Sequence, residues 1–438
     1  MIKVKAEDRD IYPRLKHIFS NEIENLCHYT TTEVLDILLK NATFRASNIF
    51  YLNDFSEYTG GIEKIKSLFN NKKYKTLNDI LKEISSDKIK ANIGLFSISF
   101  SSDSDLLQQW VTYAKESGVC IELDGEVLKN IRIRTIPKKE IKIDDSMTEA
   151  EKDKLKKEDI NNYDVVYEAT DVILRMKYKR KDVKADILYN AFATVFLEEN
   201  ISSEKELLQI TEEEVKEKWE KDENRDLARI YLQLVAAFLK NEKFEGEKEI
   251  RTVFVCTEKY KSNNPAIIKY FRMKNGILRP YFEVSFVKEK ENTNENEGVV
   301  FEPMLPVKAI VIGPSGVQQE VFDSVVHRIK YGEINVWKYE RWELKRKFEL
   351  YVKGSIERYK SDHLDVKIDS NGEEYIYSKL ACKLKDYSET PDILSVLGAV
   401  EQNNKDGEMD KVVEEICKNN FFSKEGIWVK KSITPYIF

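Results

Sequence analysis

The alternation of apolar and polar positions divides the chain before any single residue stands out. Residues 31–40 (TTEVLDILLK) place Val34, Leu35, Ile37 and Leu38 at helical spacing, with Thr31 positioned to cap the first turn. Residues 43–49 then alternate, Phe44, Ala46 and Asn48 opposing Arg45 and Ser47, which is the period of a strand. With the stretch LCHYT (26–30) ahead of them, the order is strand, helix, strand. Residues 92–100 (NIGLFSISF) predict a further strand, and SSDSD after it supplies a cap for a helix carrying Leu106, Leu107, Trp110 and Tyr113. Strands are predicted again at 118–124 (GVCIELD) and at the strictly alternating 131–136 (IRIRTI).

From about 140 to 225 the pattern turns to helix rich in lysine and glutamate, with capping boxes at Ser203/Glu206 and Thr211/Glu214 and a strand-like VVYEAT (165–170) between. Strands resume at 249–257, 268–273, 277–287 and 308–314. Helices return after 315, 336–360 being one long amphipathic candidate in which Trp337, Trp342 and Phe348 alternate with basic residues. NTNENEG (292–298), DSNGEE (369–374) and EQNNKDGE (401–408) have the composition of exposed loops. The expectation is an α+β protein with a split mixed β-sheet core, a long helical insertion and a C-terminal helical extension. Its segments are 1–136 (first half of the core), 137–240 (mainly helical insertion), 241–335 (second half of the core) and 336–438 (mostly helical extension).

Composition narrows the chemistry. With 438 residues, 42% hydrophobic and 34% charged, the chain can bury a sizeable core and is neither disordered nor membrane-like in composition. Its longest apolar run lies near LVAAFLK (234–240), short of the ~18 residues a membrane span needs. No secretory h-region opens the sequence, and the five cysteines are scattered and odd in number, so a cytoplasmic location is expected. No Cys-x-x-Cys pair or His-x-x-x-His spacing exists, so no metal is expected. A net charge of −6 argues against a generic nucleic-acid binder.

No Rossmann fingerprint, Walker A loop, G-x-S-x-G elbow or H-E-x-x-H helix occurs. Three pieces remain: His28-Tyr29-Thr30, Trp110-x-x-Tyr113, and Glu247-x-Glu249-x-Arg251. Together with HYTTTEVLDILLKNATFRASNIFYLND, a late IVIGP and a terminal SITPYIF, this order of motifs resembles a widespread bacterial family of uncharacterised domains. That resemblance covers roughly 26–136 and 241–315 and implies no activity by itself.

A more distant resemblance does. His, then Tyr, then Glu on successive parts of a split sheet is similar to the H-Y-E class of ADP-ribosyltransferase-like enzymes, which includes bacterial toxins. It implies that NAD is the substrate, with His28 orienting it, Tyr113 stacking on the nicotinamide with Phe100 or Trp110, and Glu249 as the catalytic carboxylate. Tyr29, Thr30, Arg45 and Arg251 complete the expected binding residues. Glu247, two residues before Glu249 on one strand face, is the expected general base, a neighbouring like charge raising its pKa. The implied partners are a nucleic acid or protein acceptor and possible restraint by an inhibitory protein; the implied setting is a toxin or an anti-phage effector.

Each motif also has a plainer explanation. His28 beside an apolar stretch fits a structural histidine, Trp110 and Tyr113 at i and i+3 fit a helix core face, and Glu249 fits a strand ion pair with Arg251. Two other functions therefore stand beside the enzyme: a non-catalytic nucleotide- or partner-binding module, and a metal-dependent nuclease using Asp103/Asp105 or Glu247/Glu249. The KYKRKDVK run (177–184), the stretch 337–351, and Arg132 with Arg134 are candidate contacts for an anionic ligand.

Overall fold

The computed structural model describes residues 25–51, 56–68, 78, 79, 82, 93–114, 117–124, 131–135, 166–169, 173–175, 213, 217, 222–257, 269–272, 276, 278–290, 300–339, 341–363, 368–385 and 408–434. In chain order the strands are β1 (Asn25–Thr31), β2 (Thr43–Asn48), β3 (Ile93–Ser101), β4 (Gly118–Asp124), β5 (Ile131–Thr135), β6 (Val166–Ala169), β7 (Ile173–Arg175), β8 (Glu249–Thr257), β9 (Lys269–Arg272), β10 (Leu278–Lys290), β11 (Val300–Pro303), β12 (Val307–Ile312), β13 (Asn420–Phe422) and β14 (Trp428–Lys431). The longer helices are α1 (Thr32–Asn41), α2 (Ser56–Leu68), α3 (Asp222–Ala237), α4 (Gln318–Tyr331), α5 (Arg341–Asp362), α6 (Ser370–Lys385) and α7 (Glu408–Asn419). The protein is α+β with mostly antiparallel strand pairing, and its chain divides into two compact units.

The first unit takes its described residues from Thr43–Ser102 and Glu126–Glu302. Its strands run β7-β8-β3-β2-β10-β5-β6, with β9 and β11 also pairing β10. The longest ladder joins β3 to β8, from Ile93 opposite Thr257 to Ser101 opposite Glu249. Both faces of β3 are covered over Leu95–Ile98, all four residues being buried, while in its second half serines at 97, 99 and 101 alternate with Ile98 and Phe100. Phe96 stacks on Phe282 of β10 with centroids 3.9 Å apart, and Phe44 meets Phe100 and Phe286 edge-on at 6.0 Å. Helix α2 crosses α3 at Gly61, where a Cβ would lie 2.2 Å from the Ala236 carbonyl oxygen; only glycine allows that approach.

The second unit is drawn from Asn25–Ala42, Asp103–Gly125 and Pro303–Phe438. Its strands run β13-β14-β12-β4-β1. β1 and β4 pair antiparallel from Asn25 opposite Asp124 to Thr31 opposite Gly118, and β12 lies antiparallel on β4. The last strand, β14, lies parallel to β12, Ala309 opposite Trp428 and Ile312 opposite Lys431. α5, α6 and α7 close over an apolar cluster of Phe348, Val352, Ile376, Leu380, Val412 and Ile416 that also receives Phe422 of β13.

Several expectations needed correction. Ile173–Arg175 is strand where helix was expected, because its edge pairs with β8. The helix expected from 336 begins at Arg341, since Val336 bridges Leu305 and Trp337 donates its amide to the Leu305 carbonyl at 2.9 Å. DSNGEE is no loop: Asp369 accepts from the Gly372 amide at 2.8 Å and so caps α6. The expected helical extension also holds the hairpin β13–β14. The 203/206 and 211/214 capping boxes, the 177–184 basic run and NTNENEG lie outside the described residues, as does most of 137–240. Among the described residues no helix is long and apolar enough to cross a membrane.

Candidate functional site

Most of the residues singled out above fall into two groups, one in each unit. The first forms at the head of β8. α3 ends at Ala237, and after Lys240 the chain makes a 3-10 turn, Glu242–Glu247, whose capping residue Asn241 accepts from the Lys243 amide at 3.0 Å. Lys248 then adopts a left-handed conformation, φ +48°, and β8 starts at Glu249. Glu247 therefore does not share a strand with Glu249, as the spacing predicted; a turn and a left-handed residue bring the two carboxylates together instead.

Both converge on Lys240, whose Nζ donates to Glu247 Oε2 at 2.6 Å and to Glu249 Oε2 at 2.8 Å. Arg251 Nε donates to Glu249 Oε1 at 2.8 Å, and its Nη1 donates to the Ala237 carbonyl at 3.0 Å. Ser101 Oγ donates to the Glu247 carbonyl at 2.9 Å. None of the four ionic residues is more than 5% exposed. Two cations so face two anions in a nearly dry setting, which is the condition under which buried charges are tolerated. Burial alone would raise the Glu249 pKa, but Arg251 and Lys240 beside it, with a hydrogen bond from Ser99, hold it down at about 2. Glu249 is thus a permanent anion fixed by three donors, suited to stabilising positive charge and unsuited to moving a proton. Glu247 has its carboxylate engaged by the same ammonium group.

Lys240 is the residue that sequence reasoning missed. A signal was present: a lone lysine closing the apolar run LVAAFLK, seven and nine residues ahead of two glutamates. Phe100 lies buried on the sheet face away from this cluster, since Ser101 is the residue opposite Glu249 and strand side chains alternate. Arg45 is exposed, its guanidinium 5.2 Å over the Tyr281 ring.

The second unit holds His28, Tyr29, Thr30, Trp110 and Tyr113. Alternation along β1 sends Tyr29 to one face and His28 and Thr30 to the other. Tyr29 packs edge-on against Trp110, centroids 4.7 Å apart, in a buried cluster with Cys27, Ala114, Cys120 and Val311. The Tyr29 hydroxyl donates to the Asp103 carbonyl at 2.9 Å and accepts from the Leu106 amide at 2.8 Å. Burial pushes this phenol far above its ordinary pKa, and burial with the neighbouring Cys27 does the same for the Cys120 thiol.

The helix expected after SSDSD is a single turn, Leu107–Gln109, running into a π-helical turn, Trp110–Ala114. Leu106, not an SSDSD side chain, occupies its capping position and makes no side-chain cap. Asp105 is committed elsewhere: its Oδ1 accepts from Trp110 Nε1 at 2.8 Å and from the Ser432 hydroxyl. The motif glycines explain themselves here. A Cβ on Gly313 would stand 2.9 Å from the Trp110 ring, and one on Gly118 would stand 2.1 Å from the Ala114 Cβ. W-x-x-Y-A, G-V-x-I, I-x-I-G-P and the terminal S-I-T therefore meet as one packed cluster. Tyr113 lies outside that cluster, exposed with Val111 and Thr112 on the outer side of the π-helical turn whose ends, Trp110 and Ala114, are buried.

Of the basic aromatic stretch, Phe348 is buried, Trp337 half-buried and Trp342 65% exposed. Among the described residues, no group of three His, Cys, Asp or Glu side chains could hold a metal ion. Comparison with protein-family models, with curated proteins and with solved structures finds no match to this chain.

Proposed function

We propose that the chain is an NAD-consuming, ADP-ribosyltransferase-like enzyme that breaks the nicotinamide–ribose bond and passes ADP-ribose to a macromolecular acceptor or to water. The setting proposed with it is the bacterial cytoplasm, as a toxin or an anti-phage effector. The observation that supports the reading is Glu249: a carboxylate held ionised by Lys240 and Arg251 at the start of a strand. Cleavage of a glycosidic bond builds positive charge on the ribose, so a fixed anion stabilises the transition state more than the ground state. At 5% exposure Glu249 is shut off from solvent, so a substrate would meet it only after the groups that cover it move apart. The α+β architecture with its mostly antiparallel strands is compatible with this class.

One observation favours a second reading, a non-catalytic binding module. The two carboxylates are already matched by two cations, and a purely structural ion network looks the same. Measuring nicotinamide release from NAD decides between them. The wild type should release nicotinamide, and Glu249→Gln should lose about 10²–10³-fold in rate while keeping its near-UV circular dichroism. No release with RNA, DNA or protein acceptors present, together with no NAD-dependent thermal shift, overturns the enzymatic reading.

A further inference from the structure

Asp105 collects an unusual set of donors. Besides the Trp110 indole, its carboxylate accepts from the Ser432 hydroxyl, from Thr434 Oγ1 at 2.8 Å and from the Ile433 amide at 2.9 Å. Its backbone carbonyl accepts from Thr434 Oγ1 at 3.1 Å. The segment that supplies these donors follows directly on β14, and the sheet ladder ends with the Ser432 amide donating to the Ile312 carbonyl at 2.7 Å. Past that point anchorage changes in kind. Val429 and Lys431 are buried, whereas Ile433, the one large apolar side chain of the segment, is 63% exposed. Ser432 is buried and still tied to Ile312 and, at 3.5 Å, to the Gln318 side chain, whereas Ile433 and Thr434 beyond it are held by hydrogen bonds to Asp105 and not by burial of apolar surface.

The same aspartate fixes Trp110, the first residue of the π-helical turn. Such a turn departs from the ordinary helical hydrogen-bond ladder. We infer that Ser432–Thr434 is a latch which, through Asp105, holds the π-helical turn Trp110–Ala114 and can release it while the β1–β4 ladder stays intact. A carboxylate shared between two segments couples them: losing the C-terminal donors leaves Asp105 free to reorient, and the indole then loses its acceptor. Tyr113 is exposed on that turn, so whatever takes hold of the C-terminal residues changes how Tyr113 is presented. This inference does not depend on the NAD reading.

Hydrogen exchange followed by mass spectrometry on the full chain tests it, comparing the wild type with Ser432→Ala/Thr434→Val. Amides of 106–114 should exchange at least about tenfold faster in the variant, while those of β1 and β4 stay within about twofold. Asp105→Asn should reproduce the pattern, since it keeps the size of the side chain and removes its charge. Three outcomes overturn the latch. In one, 106–114 keeps its protection although 432–434 loosens; in another, neither segment changes; in the third, β1 and β4 accelerate together with the turn, which would make the segment an ordinary part of the core.

Discussion

Replacing Lys240 with methionine should create a response to mild acid that this site does not give the wild type. In the wild type, Glu249 titrates at about 2 in the folded state against an ordinary 4.5. At about 1.4 kcal/mol per pH unit, that difference corresponds to about 3 kcal/mol of stability. Because the folded value is the lower one, the contribution is fully present above pH 4.5 and is lost as pH falls toward 2. Between pH 7 and 5 it should not change. Lys240→Met removes the ammonium that donates to both carboxylates at 2.6 and 2.8 Å and leaves two buried anions to share Arg251. Stripping one partner from a buried ionic group costs about 3–5 kcal/mol at neutral pH. Two carboxylates forced together then keep one proton to a higher pH than either would alone. A folded-state pKa raised in this way makes folding take up a proton, so the variant should gain stability as pH falls from 7 to 5. Urea denaturation at pH 7, 6 and 5 reads both effects. A variant that loses less than about 1 kcal/mol at pH 7, or whose stability stays level or falls between pH 7 and 5, would show that Lys240 does not hold the pair together.

Four further substitutions probe packing and capping. Gly61→Ala should cost about 1–3 kcal/mol, because the new methyl meets the Ala236 carbonyl at 2.2 Å, whereas Gly60→Ala, with nothing within 4 Å, should gain up to about 1 kcal/mol; thermal melts of the pair separate crossing geometry from helix propensity. Trp110→Phe keeps most of the ring packing on Tyr29 but removes the indole donor to Asp105, for an expected loss of about 1.5–3 kcal/mol in denaturant unfolding. Asp369→Ala removes the α6 cap and should cost about 1 kcal/mol; an unchanged midpoint would mean that the cap contributes nothing.

What could be read from the chain, and what could not, follows the range of each interaction. TFRASN shows its fold in its own spacing, Phe44, Ala46 and Asn48 being buried while Arg45 is exposed. α1 and β4 are equally local, and so is the left-handed end of α1 at Ala42, though nothing in the sequence announced a non-glycine residue there. β7, β13 and β14 were missed because strands of three or four residues carry too few positions to display a period, and β7 and β14 are strands through partners far along the chain, β13 through its hairpin with β14. The same limit applies to the candidate sites. E-x-E-x-R was visible as a motif, but its meaning depends on Lys240, which belongs to the end of another element. SSDSD looked like a local cap because the residues that occupy Asp105 lie more than 300 positions downstream. A side chain's type can be read in isolation; its use depends on neighbours that only the tertiary fold supplies.

The parallel seating of β14 on β12 also bears on how this protein is made. Its second unit needs β1 near the start of the chain, β4 before residue 125, β12 past residue 306 and β14 at 428–431. A ribosome delivers these pieces in that order, so the first two wait while everything between Asp124 and Trp428 is made before β14 emerges. Pairings of such sequence separation form slowly and leave strand edges uncovered in the interval. Nor does any single cut separate the two units, because the first is encoded between pieces of the second. Yield on expression should therefore respond to slower synthesis and to chaperone supply, and truncation from the C-terminal side should lose the second unit as a whole rather than trim it.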